Sequence, residues 1–127
     1  MSDERTSWDN EIVPVTDRGA ELNRVLETLS SQRARHVCYY MTADDISEID
    51  IAYLARQVAA WETGDELSQV QTETINRIAV ELHHDTLPDL EKIEFLSYDS
   101  RTGTIRYRQP SETFLRLLRT CKSIERP

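Results

Sequence analysis

The 127-residue chain has only three glycines and four prolines. That is too few for the many tight turns of an all-β fold, or for a low-complexity segment. No run of about 18 apolar residues occurs, which excludes a transmembrane helix. The opening residues Met1–Thr6 are polar and lack the apolar stretch of a secretory leader, so a cytoplasmic location is expected. No glycine-rich phosphate loop, nucleophile elbow or HExxH pattern is present. With no catalytic residue and no cofactor motif to assign, the chain is expected not to be an enzyme. Lysine is equally scarce. Of 15 basic residues, 13 are arginine and only Lys92 and Lys122 are lysine.

Acidic residues, by contrast, are abundant: 23 Asp+Glu give a net charge of −8, spread along the chain. Carboxylates hold water and cations, whereas long lysine stems expose apolar surface. At about 1 M salt the screening length falls to roughly 3 Å, which removes most of the self-repulsion. The composition therefore reads as that of a halophile's cytosolic protein. The two cysteines, Cys38 and Cys121, each sit in an apolar helical pattern without CxxC spacing, and read as free thiols in a reducing compartment.

Hydrophobic residues make up 39% of the chain, enough for one domain with one core. Residues 1–18 read as a flexible polar arm, with Trp8, Ile12, Val13 and Val15 as possible anchors, and residues 19–123 as the domain. Leu22, Val25, Leu26 and Leu29 recur at helical spacing. Ser30 suits the N-cap of a second helix carrying Ala34, Val37, Cys38 and Met41. Ile46 fits a very short strand or an extended connection, and Ser47-Glu48-Ile49-Asp50 resembles a capping box. A third helix follows through Ile51, Leu54, Ala55, Val58 and Ala59, with Gly64 placed to end it. Thr72 is expected to cap a fourth, long helix, which Pro88 should kink or restart, with Thr86 as the new cap. The period then changes to two. Phe95–Asp99 and Thr104–Arg108 alternate around a Gly-containing turn, giving a hairpin over 95–108. Leu96, Tyr98, Ile105 and Tyr107 are assigned to one face, and Arg106 and Arg108 to the other. Ser111 caps a last helix at 111–123 carrying Phe114, Leu117, Leu118 and Cys121.

Three helices followed by a two-stranded hairpin is the winged helix-turn-helix layout. The fold class expected is α+β, mainly helical, with flanking N- and C-terminal helices. Particular stretches sharpen this. Leu22 to Leu29 with Ser30-Ser31-Gln32-Arg33-Ala34-Arg35 looks like an L-S-x-x-R-R helix start. Leu54-Ala55-Arg56-Gln57-Val58-Ala59 resembles an L-A-x-x-V/I positioning helix, and His84–Ile93 an H-L-P-x-L segment leading into a wing. Together with Ala60-Trp61-Glu62, residues 22–108 resemble an uncharacterised haloarchaeal winged helix-turn-helix family of transcriptional regulators. One departure stands out: Thr86 precedes Leu87-Pro88 where that pattern has histidine. The resemblance implies a fold and a DNA-binding role.

In such a layout the recognition helix enters the major groove and the wing meets an adjacent groove or phosphates. The candidate DNA-binding residues are then Thr72, Thr74, Asn76, Arg77 and His84 on the helix, and Arg101, Thr102, Arg106 and Arg108 on the wing. Arg77 suits guanine and Asn76 adenine, while Thr72 and Thr74 suit phosphate. Arg77 also stands at i±4 from Glu73 and Glu81, so a plain surface ion pair competes with this reading. Adjacent histidines on a helix point about 100° apart, so His83-His84 is not assigned as a metal site. Tyr39, Tyr40 and Tyr53 are read as core or interface residues. The apolar stripes Leu22, Val25, Leu26 and Phe114, Leu117, Leu118, Cys121 are assigned to a homodimer contact, which would space two DNA half-sites one helical turn apart. The competing expectation, favoured by the acidic recognition helix, is a winged-helix module that contacts proteins and no longer binds DNA.

Overall fold

A computed structural model describes residues 17–125 of the chain. Nearly all of the N-terminal arm, including Trp8, Ile12, Val13 and Val15, lies outside the described residues. The fold is α+β and mainly helical. Helix α1 spans Asp17–Leu29 and α2 Gln32–Ala43. The residue that caps α2 is Ser31, not Ser30: its Oγ accepts from the Ala34 N–H at 3.2 Å. Ser30 closes α1 instead, donating its N–H to Leu26 O and its hydroxyl to Glu27 O.

Residues 47–50 do not form a capping box. Glu48–Asp50 is a strand, β1, whose middle residue Ile49 is buried between two exposed neighbours. Asp50 itself caps α3 (Ile51–Thr63), accepting from the Ala52 N–H at 2.7 Å. Ile46 stays in the connection ahead of the strand. Gly64 ends α3 as expected, in the left-handed region at φ 77°, with its N–H on Ala60 O.

After a 3₁₀ turn at Leu67–Gln69 the chain enters α4, Thr72–Glu81. Thr72 lies inside this helix, and its cap position, Gln71, supplies no side-chain hydrogen bond. The disturbance expected at Pro88 is present as a restart of the α-helix at Leu87, but Thr86 supplies no side-chain cap. The chain widens into a π-helical turn at Leu82–Thr86 and continues directly as α5, Leu87–Lys92. Proline has no N–H and its ring crowds the carbonyl four residues back, and a π turn accommodates both. Thr86 keeps helical dihedrals and is buried.

Strands β2 (Leu96–Asp99) and β3 (Thr104–Tyr107) form the hairpin. β1 adds to its far edge, so the antiparallel sheet runs β1-β3-β2 with β3 in the middle. Leu96 faces Tyr107 and Tyr98 faces Ile105 across β2 and β3, while Glu48 faces Arg106 across β1 and β3. Gly103, at φ 77°, closes the turn and accepts the Ile51 N–H at 2.8 Å. A Cβ there would stand 3.1 Å from Ile51 Cγ2, so the hairpin turn rests against the start of α3. Helix α6 (Glu112–Glu125) follows, its first turn capped by Ser111 through the Phe114 N–H.

One core holds these elements together. Val37, Leu54, Val58, Ile78, Leu82, Leu87, Leu90 and Ile105 are fully buried, with Phe95 packed between Tyr107 and Phe114. Each such side chain contributes about 1.5–3 kcal/mol relative to exposure. This core also takes Val25, Phe114 and Leu118, three residues assigned from sequence to a dimer contact. The stripes are wider than expected because α1 and α6 are themselves core helices.

The C-terminal end of α6 is held electrostatically. Glu125 accepts from Arg35 Nε at 2.8 Å, Arg35 Nη2 at 2.9 Å and the Tyr39 hydroxyl at 2.7 Å. Arg35 also donates to Leu29 O, joining α1, α2 and α6. The Arg35 hydrogen bonds, opposed by partial burial, bring the Glu125 carboxyl down from 4.5 to about 2. A carboxylate shifted down on folding adds stability above its unfolded pKa and loses it as pH falls toward the folded value. Chemical denaturation of wild type and Glu125→Gln should therefore differ by about 1–2 kcal/mol at pH 7. The two should converge between pH 5 and pH 2. An equal gap at pH 2.5 would show that this carboxylate does not anchor α6.

Candidate nucleic-acid interface

Helix α4 buries only Ile78 fully, with Thr74, Ile75 and Ala79 half-buried against its neighbours. The opposite face carries Glu73, Asn76, Arg77, Val80 and, one turn on, His84, all exposed. No side chain caps the first turn, so its N–H dipoles face outward near Thr72. Four candidates named from sequence, Thr72, Asn76, Arg77 and His84, thus lie on accessible helix surface, while Thr74 turns partly inward.

Beyond the packing of Ile75, Ile78 and Ala79, this helix is held by an arginine of α2 that entered the sequence reading only as part of a helix-start pattern. Arg33 forks onto Glu62 near the end of α3, with Nε and Nη2 each 2.6 Å from a carboxylate oxygen. Its third nitrogen, Nη1, reaches Glu81 at the end of α4 at 2.7 Å. The side chain is 21% exposed, so the pairing is only partly screened by water. Hydrogen bonding to Glu62 raises the Arg33 pKa, and hydrogen bonding to Arg33 lowers that of Glu81. One guanidinium therefore fixes three helices. Glu62 and Glu81 stand 29 and 48 residues from Arg33, and no local spacing signals such a contact.

A second tie joins the helical layer to the hairpin. His83 Nδ1 lies 2.8 Å from the Tyr98 hydroxyl on β2, and the Tyr98 N–H donates to Glu91 at 3.0 Å. His84, the histidine singled out from sequence, packs edge-on against the His83 ring at 4.9 Å. Among the described residues, no group of three His, Cys, Asp or Glu could hold a metal. Both cysteines are free thiols; Cys38 is fully buried, and that burial pushes its pKa up.

The hairpin arginines are dispersed. Arg101, 86% exposed at the hairpin tip, sits 3.6 Å from Asp99, which also accepts the Arg101 N–H. Thr102 bonds to Thr104. Arg106 pairs with Glu48 at 3.1 Å across β1 and β3, on the sheet face opposite Ile105 and Tyr98. Arg108 is exposed and its side chain has no partner among the described residues. Arg77 lies 3.7 Å from Glu81, so the surface pair anticipated from the i,i+4 spacing is present. Such exposed pairs contribute about 0–1 kcal/mol each, so a phosphate can displace the carboxylate at small cost. The structure brings the α4 candidates together on one helix but leaves Arg106 on a different surface.

A family model described as "Domain of unknown function (DUF7344)" matches residues 26–106, which is more than half of the chain. No curated protein and no solved structure matches.

Removing the clamp should cost stability. Arg33→Met leaves Glu62 without its cation and Glu81 with only the exposed Arg77 at 3.7 Å, and a loss of about 1–3 kcal/mol is expected in thermal or chemical unfolding. Glu81→Gln should lose less, because the fork on Glu62 survives. A wild-type midpoint in Arg33→Met would show that the three helices are held by apolar packing alone.

Proposed function

The chain belongs to the family described as a domain of unknown function (DUF7344), and from that premise we propose that it is a winged-helix DNA-binding regulator of transcription. Support comes first from topology. Helix α2, strand β1, helices α3 and α4, and a hairpin pairing in the order β1-β3-β2 follow the winged helix-turn-helix plan. Within that plan α4 is the recognition helix and the β2–β3 hairpin the wing. The observation that carries the reading is the exposed face of α4. It offers Asn76 and Arg77 to base edges beside an uncapped first turn for phosphate.

Arg101 and Thr102 at the wing tip, with Arg108 beyond β3, supply further phosphate contacts. The chain acts in the cytoplasm of a halophilic archaeon, where concentrated salt screens the repulsion between its −8 charge and DNA. Counterion release adds little there, so base contacts and shape carry more of the affinity.

A second reading draws on two features of α4. Val80 is 56% exposed on the candidate reading face, one turn from Arg77 and from His84, and Glu73 lies two turns back on the same face. An apolar side chain flanked by charge also suits a protein partner, and the chain would then be an adaptor or antagonist.

Fluorescence anisotropy with the duplex upstream of the coding sequence and a scrambled control, from low to molar KCl, separates the two. Saturable binding that prefers the native duplex is expected. The double variant Arg101→Ala, Arg108→Ala should weaken it by about 1–3 kcal/mol without unfolding. Undiminished affinity in that variant would move the contact off the wing, and no binding to any duplex by folded protein would leave the protein-partner reading.

Homodimerisation rests on the apolar side chains that the core leaves outside. Leu22 and Leu26 on α1 are 44% and 49% exposed, and Ile124 on α6 is 75% exposed. Leu117 and Cys121 are half-buried. Sedimentation equilibrium should show a dimer that Leu26→Glu converts to a folded monomer. A monomeric wild type would remove the two-fold half-site model.

A further inference from the structure

Away from α4 and the hairpin, side chains of α2, α3 and α6 line an open surface cleft of about 400 Å³. Its walls are His36, Tyr39, Tyr40, Ala43, Trp61 and Lys122. Their rings pack edge to face. His36 and Trp61 stand 5.6 Å apart at 86°, and Tyr40 and Trp61 5.5 Å apart at 68°. Edge-on packing of this kind leaves ring faces and edges free to receive another planar group. The volume falls in the range of small-ligand sites.

The charges around the cleft point to one class of ligand. The Tyr39 hydroxyl is already committed to Glu125, and that carboxylate is held by Arg35 through Nε and Nη2, so the acid at this end of the cleft is neutralised. Lys122 has no ion-pair partner among the described residues, although it is half-buried. It is one of two lysines in a chain that otherwise uses arginine for its ion pairs. His36 adds an imidazole N–H to the same wall. Asp44, a carboxylate that acts on Tyr40, works against an anion, and the neutral and cationic probes below measure its weight.

We propose that this cleft is a binding site for a small aromatic acid, whose ring stacks among Tyr40, Trp61 and His36 and whose carboxylate meets the Lys122 ammonium. The inference does not depend on DNA binding and stands or falls separately from it.

Calorimetric titration of the full chain with indole-3-carboxylate, its neutral carboxamide and the cation tryptamine tests the assignment. The salt should be one at which circular dichroism shows the fold intact. Saturable binding of the acid is expected, with a dissociation constant on the order of 1 mM or tighter. Backbone amide shifts should centre on Ala43, Trp61 and Lys122. Lys122→Gln should weaken the acid about fivefold to tenfold and leave the carboxamide unchanged. No saturation by the acid below about 10 mM, well above the expected range, would overturn the site. So would equal binding of acid and amide in wild type, tighter binding of tryptamine, or an unchanged constant for the acid in Lys122→Gln.

Discussion

The Arg33 fork is the constraint on which the geometry of the proposed reading helix depends. Helix α4 has a single fully buried side chain, Ile78, and apolar packing alone fixes the rotation of so lightly buried a helix only weakly. Arg33 supplies direction. Its planar guanidinium satisfies Glu62 bidentately and Glu81 singly, which specifies where the ends of α3 and α4 stand relative to α2. The same contact keeps Glu81 ionised and close to Arg77, so the arginine proposed to read a base is linked through one carboxylate to the arginine that sets the helix.

The sheet performs the corresponding task on the other side. Three residues of β1 tie the connection between α2 and α3 to β3, the middle strand of the sheet, and Gly103 takes a hydrogen bond from the first residue of α3. The hairpin is thereby tethered at both ends: at its tip by Ile51, and along β2 by His83 and Glu91. A hairpin held this way presents its tip in a defined position, which the proposed phosphate contact requires.

The helices and hairpin were legible because their apolar residues follow a single period over at least two turns or four strand positions. Gly64 and Ser111 were legible as punctuation. β1 was not. Only Ile49 among its three residues is buried, its partner lies more than 50 residues away on β3, and Ser47–Asp50 carries a local pattern that mimics a helix start. The π turn escaped for a related reason: proline signals trouble in the helical ladder, but the way the chain absorbs it depends on the packing of Leu82, Thr86 and Leu87. A stripe such as Phe114, Leu117 and Leu118 announces that something apolar covers it without saying whether that is the same chain or another. The Arg33 and Glu125 contacts were beyond reach, since a charge that bridges helices has no periodic signature.

The electrostatics of the reading helix remain the unusual part of the account. Arg77, Arg101 and Arg106 each keep a carboxylate within 4 Å, yet all three are exposed enough that a phosphate or base can take the carboxylate's place. The most direct test is a backbone amide NMR titration of the folded protein with its upstream duplex in high salt. The account predicts shifts concentrated in residues 72–77 of α4 and 100–103 of the wing. Shifts confined to α1 and α6, or to the aromatic cleft, would contradict it.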